Sequence, residues 1–290
     1  MKKIFFLFVT LLCFYSAQEQ AIKAWLQGAY SASVSRHKNV TAGWANILKA
    51  NALNHPYSAA PFNYTGTESV SAGIFNSTAA TTDILDWVLV ELRTTKPPPP
   101  YAATSTANYA RAAFILENGF IVDLDGTSNV NFNAYVTVTN GLYYLTIRHR
   151  NHLCIRSAVK VQVTGGYLTA LYDFTTALSQ ADDDNPNPNP LLQNASMKQL
   201  QTGIFGMWGG DVNQDNQVNY AGLGCCFNPN DAAAMLAKLG GNSATVLSPV
   251  YNTGDVNMDG NVRFTGANND AVFLLSVLGA VSAAVYTGHQ

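Results

Sequence analysis

Two short runs near the C-terminus carry the side chains best suited to chemistry: Asp211-Val-Asn-Gln-Asp-Asn-Gln-Val-Asn219 and Asp255-Val-Asn-Met-Asp-Gly-Asn-Val-Arg263, one oxygen-rich pattern written twice, 44 residues apart. Asp211, Asn213 and Asp215, and again Asp255, Asn257 and Asp259, set short oxygen-bearing side chains at loop positions 1, 3 and 5, the spacing of the first half of an EF-hand. The chemistry this predicts is binding of two Ca2+ ions, because calcium is a hard cation that collects about six to eight oxygen ligands. Gln217 and Asn261 at position 7 offer backbone carbonyls. Asn216 and Gly260 at position 6 tolerate the left-handed backbone a sharp turn needs. Val218 and Val262 at position 8 are expected to tuck beneath the loop.

Position 12 of such a loop ordinarily carries a bidentate carboxylate, but Gly222 and Gly266 stand there. The expected replacements are Asp231 and Asp270, each on the first turn of a predicted helix that begins after Asn230 or Asn269 and ends at Gly240 or Gly279. Swinging back, they would close the two cages. The alternative is that these Asn and Asp residues only cap their helices.

Positioning such loops requires a scaffold, and most of the chain reads as β. Runs at Ile22–Gln27, Trp87–Arg93, Arg111–Leu116, Val130–Tyr135, Gly141–Arg148 and Val159–Val163 are rich in β-branched and aromatic residues, with turn residues between them and no helical period. Asn118-Gly119 marks a tight hairpin, and Pro97–Pro100 belongs in an exposed loop. The expected fold is mainly β, an antiparallel β-sandwich over residues 18–178, a linker over 179–202 and a small helical calcium-binding domain over 203–290. Within the linker, Ala181 to Pro190 holds an acidic turn, Asp182 to Asp184, expected to be solvated, and residues 194–201 are expected to form a short helix.

The first 17 residues pair Lys2 and Lys3 with an apolar run ending in small residues, the pattern of a secretory signal peptide cut near Ala17 and Gln18. Lipid attachment at Cys13 is disfavoured by the bulky Leu12, and the run is too short to span a membrane comfortably. No later stretch reaches spanning length, so a secreted, extracellular or outer-surface location is expected. Without the leader, 14 basic side chains face 18 acidic ones, which argues against nucleic acid as a partner. Cys154, Cys225 and Cys226 remain, an odd number for a secreted chain, and a bond from Cys154 to either neighbour would tie the two regions together.

The chain lacks Gly-x-Ser-x-Gly, His-Glu-x-x-His, phosphate-loop and dinucleotide signatures, so a non-catalytic role is expected. Asp86 and Glu91 supply carboxylates for hydrolysis on paper, with no motif around them. Arg148-His149-Arg150-Asn151-His152 is read as a hydrogen-bonding corner at a strand end, with ligand contact as the alternative. Trp25, Trp44, Tyr57, Tyr64, Tyr101 and Tyr109 lie in loop-like segments, where exposed rings could stack on sugars.

The paired Gly-Asp-x-Asn-x-Asp loops resemble type I dockerins, which implies two calcium sites and a cohesin-like partner. The longer series Asp86–Arg93, Arg111–Phe114, Val122-Asp-Leu-Asp-Gly126, Tyr143–Leu153, Tyr172–Thr175, Gly206–Asp211 and Gly266–Asp270 resembles a C-terminal module of secreted Bacteroidetes surface proteins labelled adhesin or haemagglutinin. That likeness covers roughly Trp25 to Gly279 and implies surface binding, with a protein partner or a surface glycan as ligand. The expected function is a calcium-binding module for adhesion or protein assembly. The alternative is an accessory carbohydrate-binding or polysaccharide-degrading component.

Overall fold

The computed structural model describes residues 20–96, 106–183, 195–222 and 229–288. Its centre is strand β1 (Ile84–Arg93), whose ten residues are all buried, as expected of a strand covered on both faces. Around it lie β2 (Tyr109–Leu116), β3 (Ile121–Val122), β4 (Gly141–His149), β5 (His152–Arg156), β6 (Val161–Thr164) and β7 (Tyr167–Leu168). They form one seven-stranded sheet in the order β7-β6-β4-β1-β2-β3, with β5 paired to β4. The pairings are antiparallel, and the register sets Val90 beside both Arg111 and Ile147. The Asn118-Gly119 turn falls between β2 and β3, with Gly119 at φ 80°.

The protein is therefore mainly β and antiparallel. Strand pairings outside the large sheet are two-stranded ribbons, among them 22–23 with 172–173, 198–201 with 204–206, and 217–219 with 285–287. Three expectations of local structure fail. Residues 132–134 form a 3-10 turn where a strand was expected, Lys198–Gln201 is a strand where a helix was expected, and α1 (Ala42–Asn51) occupies a region assigned no helix. The helix follows from capping and spacing: Thr41 Oγ1 accepts from Trp44 N at 3.2 Å, and Trp44, Ala45, Ile47 and Leu48 share the buried face. Its apolar stripe is only a few residues long, so alternating β patterns nearby mask it.

Burial also differs from expectation at the linker. Asp182 is buried and ion-paired with Arg156 and Lys96, while Asp184, Pro97–Pro100 and most of the linker lie outside the described residues. Those two cations hold the Asp182 carboxyl below the usual carboxylate range against the opposing effect of burial.

Two apolar clusters divide the molecule. The larger surrounds the sheet and includes Trp87, Phe114, Ile147 and Phe174; the smaller joins Leu153, Trp208, Val212, Val218, Val256, Val262 and Leu274. Val218 and Val262 are fully buried, as their position beneath the loops requires. The smaller cluster is closed by α2 (Asp231–Lys238) and α3 (Asp270–Val277), capped by the Asn230 and Asn269 side chains, which accept from Ala233 N and Val272 N, both at 2.8 Å. Among the described residues no helix is long and apolar enough to cross a membrane.

Candidate metal centre

Each repeated run folds into a tight loop because its backbone enters the left-handed region twice. The φ angles are 63° at Gln214 and 61° at Asn216, and 54° at Met258 and 84° at Gly260. That curvature turns backbone N–H groups inward. Asp211 Oδ2 accepts from Asn216 N at 3.0 Å, and Asp255 accepts from Asp259 N and Gly260 N, both at 2.9 Å. Asp215 and Asp259 accept from Gln217 N and Asn261 N, again at 2.9 Å. Asn213 Oδ1 accepts from Asp215 N at 3.0 Å, while the Asn257 amide donates to Asn268 O at 2.9 Å.

The two helix aspartates reach back to the same places in both copies. Asp231 accepts from Val212 N at 2.7 Å, Asn213 N at 3.3 Å and Asn219 N at 2.8 Å. Asp270 accepts from Val256 N at 3.0 Å, Asn257 N at 3.3 Å and Arg263 N at 2.8 Å. Those donors are equivalent positions of the repeat, so the carboxylates at 231 and 270 close their loops in one way despite their unequal distance along the chain. Each helix thus divides its caps: the Asn binds the helix N–H, and the Asp binds the loop.

Burial makes this arrangement electrostatically unusual. Asp231, Asp255 and Asp270 are fully buried and Asp211 is 6% exposed. Burial, reinforced by the Asp231 and Asp215 charges, pushes the Asp211 carboxyl well above its usual range, and burial does the same to Asp231. In the second loop burial raises Asp255 to about 7, with Arg150 opposing and the Asp270 charge adding, and raises Asp270 to about 6. Carboxylates so placed lack the positive charge that would balance them. Asp211 Oδ1 and Asn257 Oδ1 are buried with no hydrogen-bond partner, as is the Asn219 side chain, which the sequence pattern did not single out.

A carboxylate oxygen that accepts one N–H keeps a second lone pair, so the hydrogen bonds of these loops are compatible with cation binding. The donors fit a hard, oxygen-seeking ion. Among the described residues no three His, Cys, Asp or Glu side chains form a metal-holding group by themselves. A cation would therefore draw on the Asn213 and Asn257 oxygens and on backbone carbonyls, including those of Gln217 and Asn261, as well as on the aspartates.

The second loop is buttressed by residues far away in sequence. Lys38 Nζ donates to Asn257 O at 2.7 Å, and Gly28 packs where a Cβ would lie 2.2 Å from Val256 O, so only glycine fits there. The hairpin between β4 and β5 supplies the rest. Asn151 Nδ2 donates to Asp255 O at 2.8 Å and Thr253 O at 3.2 Å, and Asn151 O accepts from Gly210 N and Asp211 N, so one residue touches both loops. Arg150 donates to Asn252 O and pairs with Asp86 at 3.1 Å, and Gln214 Nε2 donates to Arg150 O. The Arg148–His152 run is thus a buried corner, and its ring nitrogens are committed: Gly28 N donates to His152 Nε2, and His149 Nε2 meets Asp86 at 3.1 Å.

The carboxylates considered for hydrolysis are equally engaged. Asp86 also accepts from Tyr251 OH at 2.5 Å, and its carboxyl is held at about 2, burial being outweighed by Arg150, His149 and Tyr251. Glu91 is fully buried between Arg148 at 2.7 Å and Arg93 at 2.6 Å. Of the aromatics expected at the surface, Trp25, Trp44, Tyr57 and Tyr64 are buried, and Tyr101 lies outside the described residues. Cys154 is buried on β5 with its Sγ 3.1 Å from Asn216 Oδ1, and burial raises the thiol to about 12; Cys225 and Cys226 lie outside the described residues. No protein-family model, no curated protein and no solved structure matches the chain, so its sites are read from their own geometry.

Proposed function

We propose that this protein is a secreted or cell-surface, non-catalytic binding module in which two Ca2+ ions fix a dockerin-like pair of loop-helix units against a β-sandwich-like scaffold. The observation that carries the reading is the repeated burial of Asp211 with Asp231 and of Asp255 with Asp270, four carboxylates whose negative charge a divalent cation would balance. The ions would act structurally, holding the C-terminal loops and helices in shape for adhesion or protein assembly. A protein partner, a cohesin-like domain among them, or a surface glycan would then be bound by the ordered scaffold.

Calorimetry with CaCl2 and thermal melts in calcium or chelator test this. Wild type is expected to bind two ions and to melt several degrees higher in calcium, and the double variant Asp211→Ala, Asp255→Ala to do neither. An unchanged wild-type melt with no heat of binding rejects the sites. A carbohydrate-directed accessory role is the second reading, favoured by an aromatic-lined cleft on the sheet.

A further inference from the structure

A cleft of about 510 Å³ runs along β2, and none of its lining residues belongs to the repeated loops. It exists because β3 is short. Strand β1 pairs with β2 along its length, whereas β3 pairs only with Phe114 and Ile115, leaving the outer side of Tyr109–Ala113 without a strand partner among the described residues. Side chains cap that edge. Tyr64 OH donates to Glu68 Oε1 at 2.5 Å and lies 3.2 Å from Ala110 O, and Glu68 Oε1 accepts from Ala112 N at 3.3 Å. With those backbone groups engaged, a peptide strand has little to pair with.

What the cleft offers instead is a fixed ring among uncharged polar groups. Tyr135 is 57% exposed, yet its ring lies against the Arg111 guanidinium, 4.8 Å from the ring centroid. Arg111 is itself buried and held by Asp123 at 2.7 Å and Glu68 at 3.4 Å, and its Nε has no hydrogen-bond partner. Around them stand Asn63, Thr65 and Asn108, all exposed. Asn63 has φ 48° and its N–H donates to Ala59 O, so its loop is held in place.

We propose that this cleft binds a neutral saccharide, with the Tyr135 ring stacked on the apolar face of a sugar and the surrounding amides and hydroxyls meeting its hydroxyl groups. Neutrality follows from charge: two carboxylates already compensate Arg111, so an anionic ligand gains little, and a cationic one meets a guanidinium. A ring pinned before binding loses little entropy on contact, which favours this platform over a free surface tyrosine. The site names a ligand class for the binding module, but it does not depend on the calcium reading.

Isothermal calorimetry on the mature chain with cello-, xylo-, manno- and laminarihexaose, with hexagalacturonate as the charged control, tests the assignment. At least one neutral hexaose is expected to bind, in calcium and also in chelator at temperatures where the chain remains folded. Tyr135→Ala, at an exposed position, should weaken binding about tenfold without moving the melt, and Tyr135→Phe should retain most of it. No binding of any neutral hexaose at millimolar concentration, preference for hexagalacturonate, or wild-type affinity in Tyr135→Ala would each overturn it. Failure of the calcium sites shows instead as a melt insensitive to chelator.

Discussion

Asp270→Asn separates a calcium ligand from a carboxylate that only clips a loop to a helix. Asparagine keeps an oxygen for the Val256 and Asn257 N–H groups but turns its NH2 toward Arg263 N, losing one charge-assisted bond worth about 1.5–3 kcal/mol. Against that loss, burial raises the Asp270 carboxyl from 3.8 to about 6, so removing its charge relieves about 3 kcal/mol at neutral pH without calcium. The two nearly cancel. In chelator the variant should melt close to wild type. In calcium at about a thousandfold over Kd, wild type gains about 4 kcal/mol per site by mass action, and a variant that no longer binds at this site forfeits it. That corresponds to about 8–16 °C for a chain of this size class. Differential scanning calorimetry of both proteins in 5 mM EDTA and in saturating CaCl2, at pH 7.5, gives the comparison (~5 mM being the order needed for complete chelation). An equal drop in both buffers would refute the ligand role and leave Asp270 as a clip.

Three further outcomes are expected. The calcium-induced rise in melting temperature should grow with pH through about 6 to 7, because Asp255 and Asp270 hold protons in the apo fold up to those values. The sign follows from their raised values: without calcium their contribution is complete below about 3.8 and is lost as pH rises through the folded values, while calcium needs the ionised form; buried His37, His149 and His152 titrate in both buffers, and a pH-independent rise contradicts the reading. Asn151→Ala should cost about 3 kcal/mol or more in urea denaturation by stranding Asp255 O, Thr253 O and the His152 ring, with a change under about 0.5 kcal/mol counting against the corner's structural role. Glu91→Gln should destabilise by about 3–5 kcal/mol because Arg93 and Arg148 lose their buried partner, whereas reducing-end release by wild type that this variant abolishes would reject the non-catalytic reading.

The repeat was legible in the sequence because ligand-type residues at odd positions and a left-handed position 6 are local properties. Asn216 and Gly260 have the expected backbone, and Val218 and Val262 the expected burial. Asp231 and Asp270 were also within reach, since a polar residue on the first turn of a capped helix has only nearby backbone to meet. Strands such as β1 and β4 announced themselves by apolar content. What escaped was non-local. Nothing near Lys38 or Gly28 indicates that they abut a loop more than 200 residues away. Tyr135 drew no notice because its exposure depends on Arg111 packing beneath it, and the Tyr64 ring disappears because its hydroxyl caps a strand edge. Residues 198–201 turned out extended because the partner strand 204–206 pairs with them, a tertiary preference that outweighs local propensity.

The corner at residues 149–152 also sets a timetable for folding. Gly28 reaches His152 across 124 residues, Asn151 reaches Asp255 across 104, and Tyr251 reaches Asp86 across 165. Such separations impose a large loop-closure cost before any bond forms, so the turns of each repeat should appear early and the corner late. Until the last 40 or so residues are available, Asp86 and Arg150 wait without Tyr251 and Asn252. A nascent chain halted before that point would carry a finished sheet with an open polar wound, and the arrival of its C-terminus is what seals it.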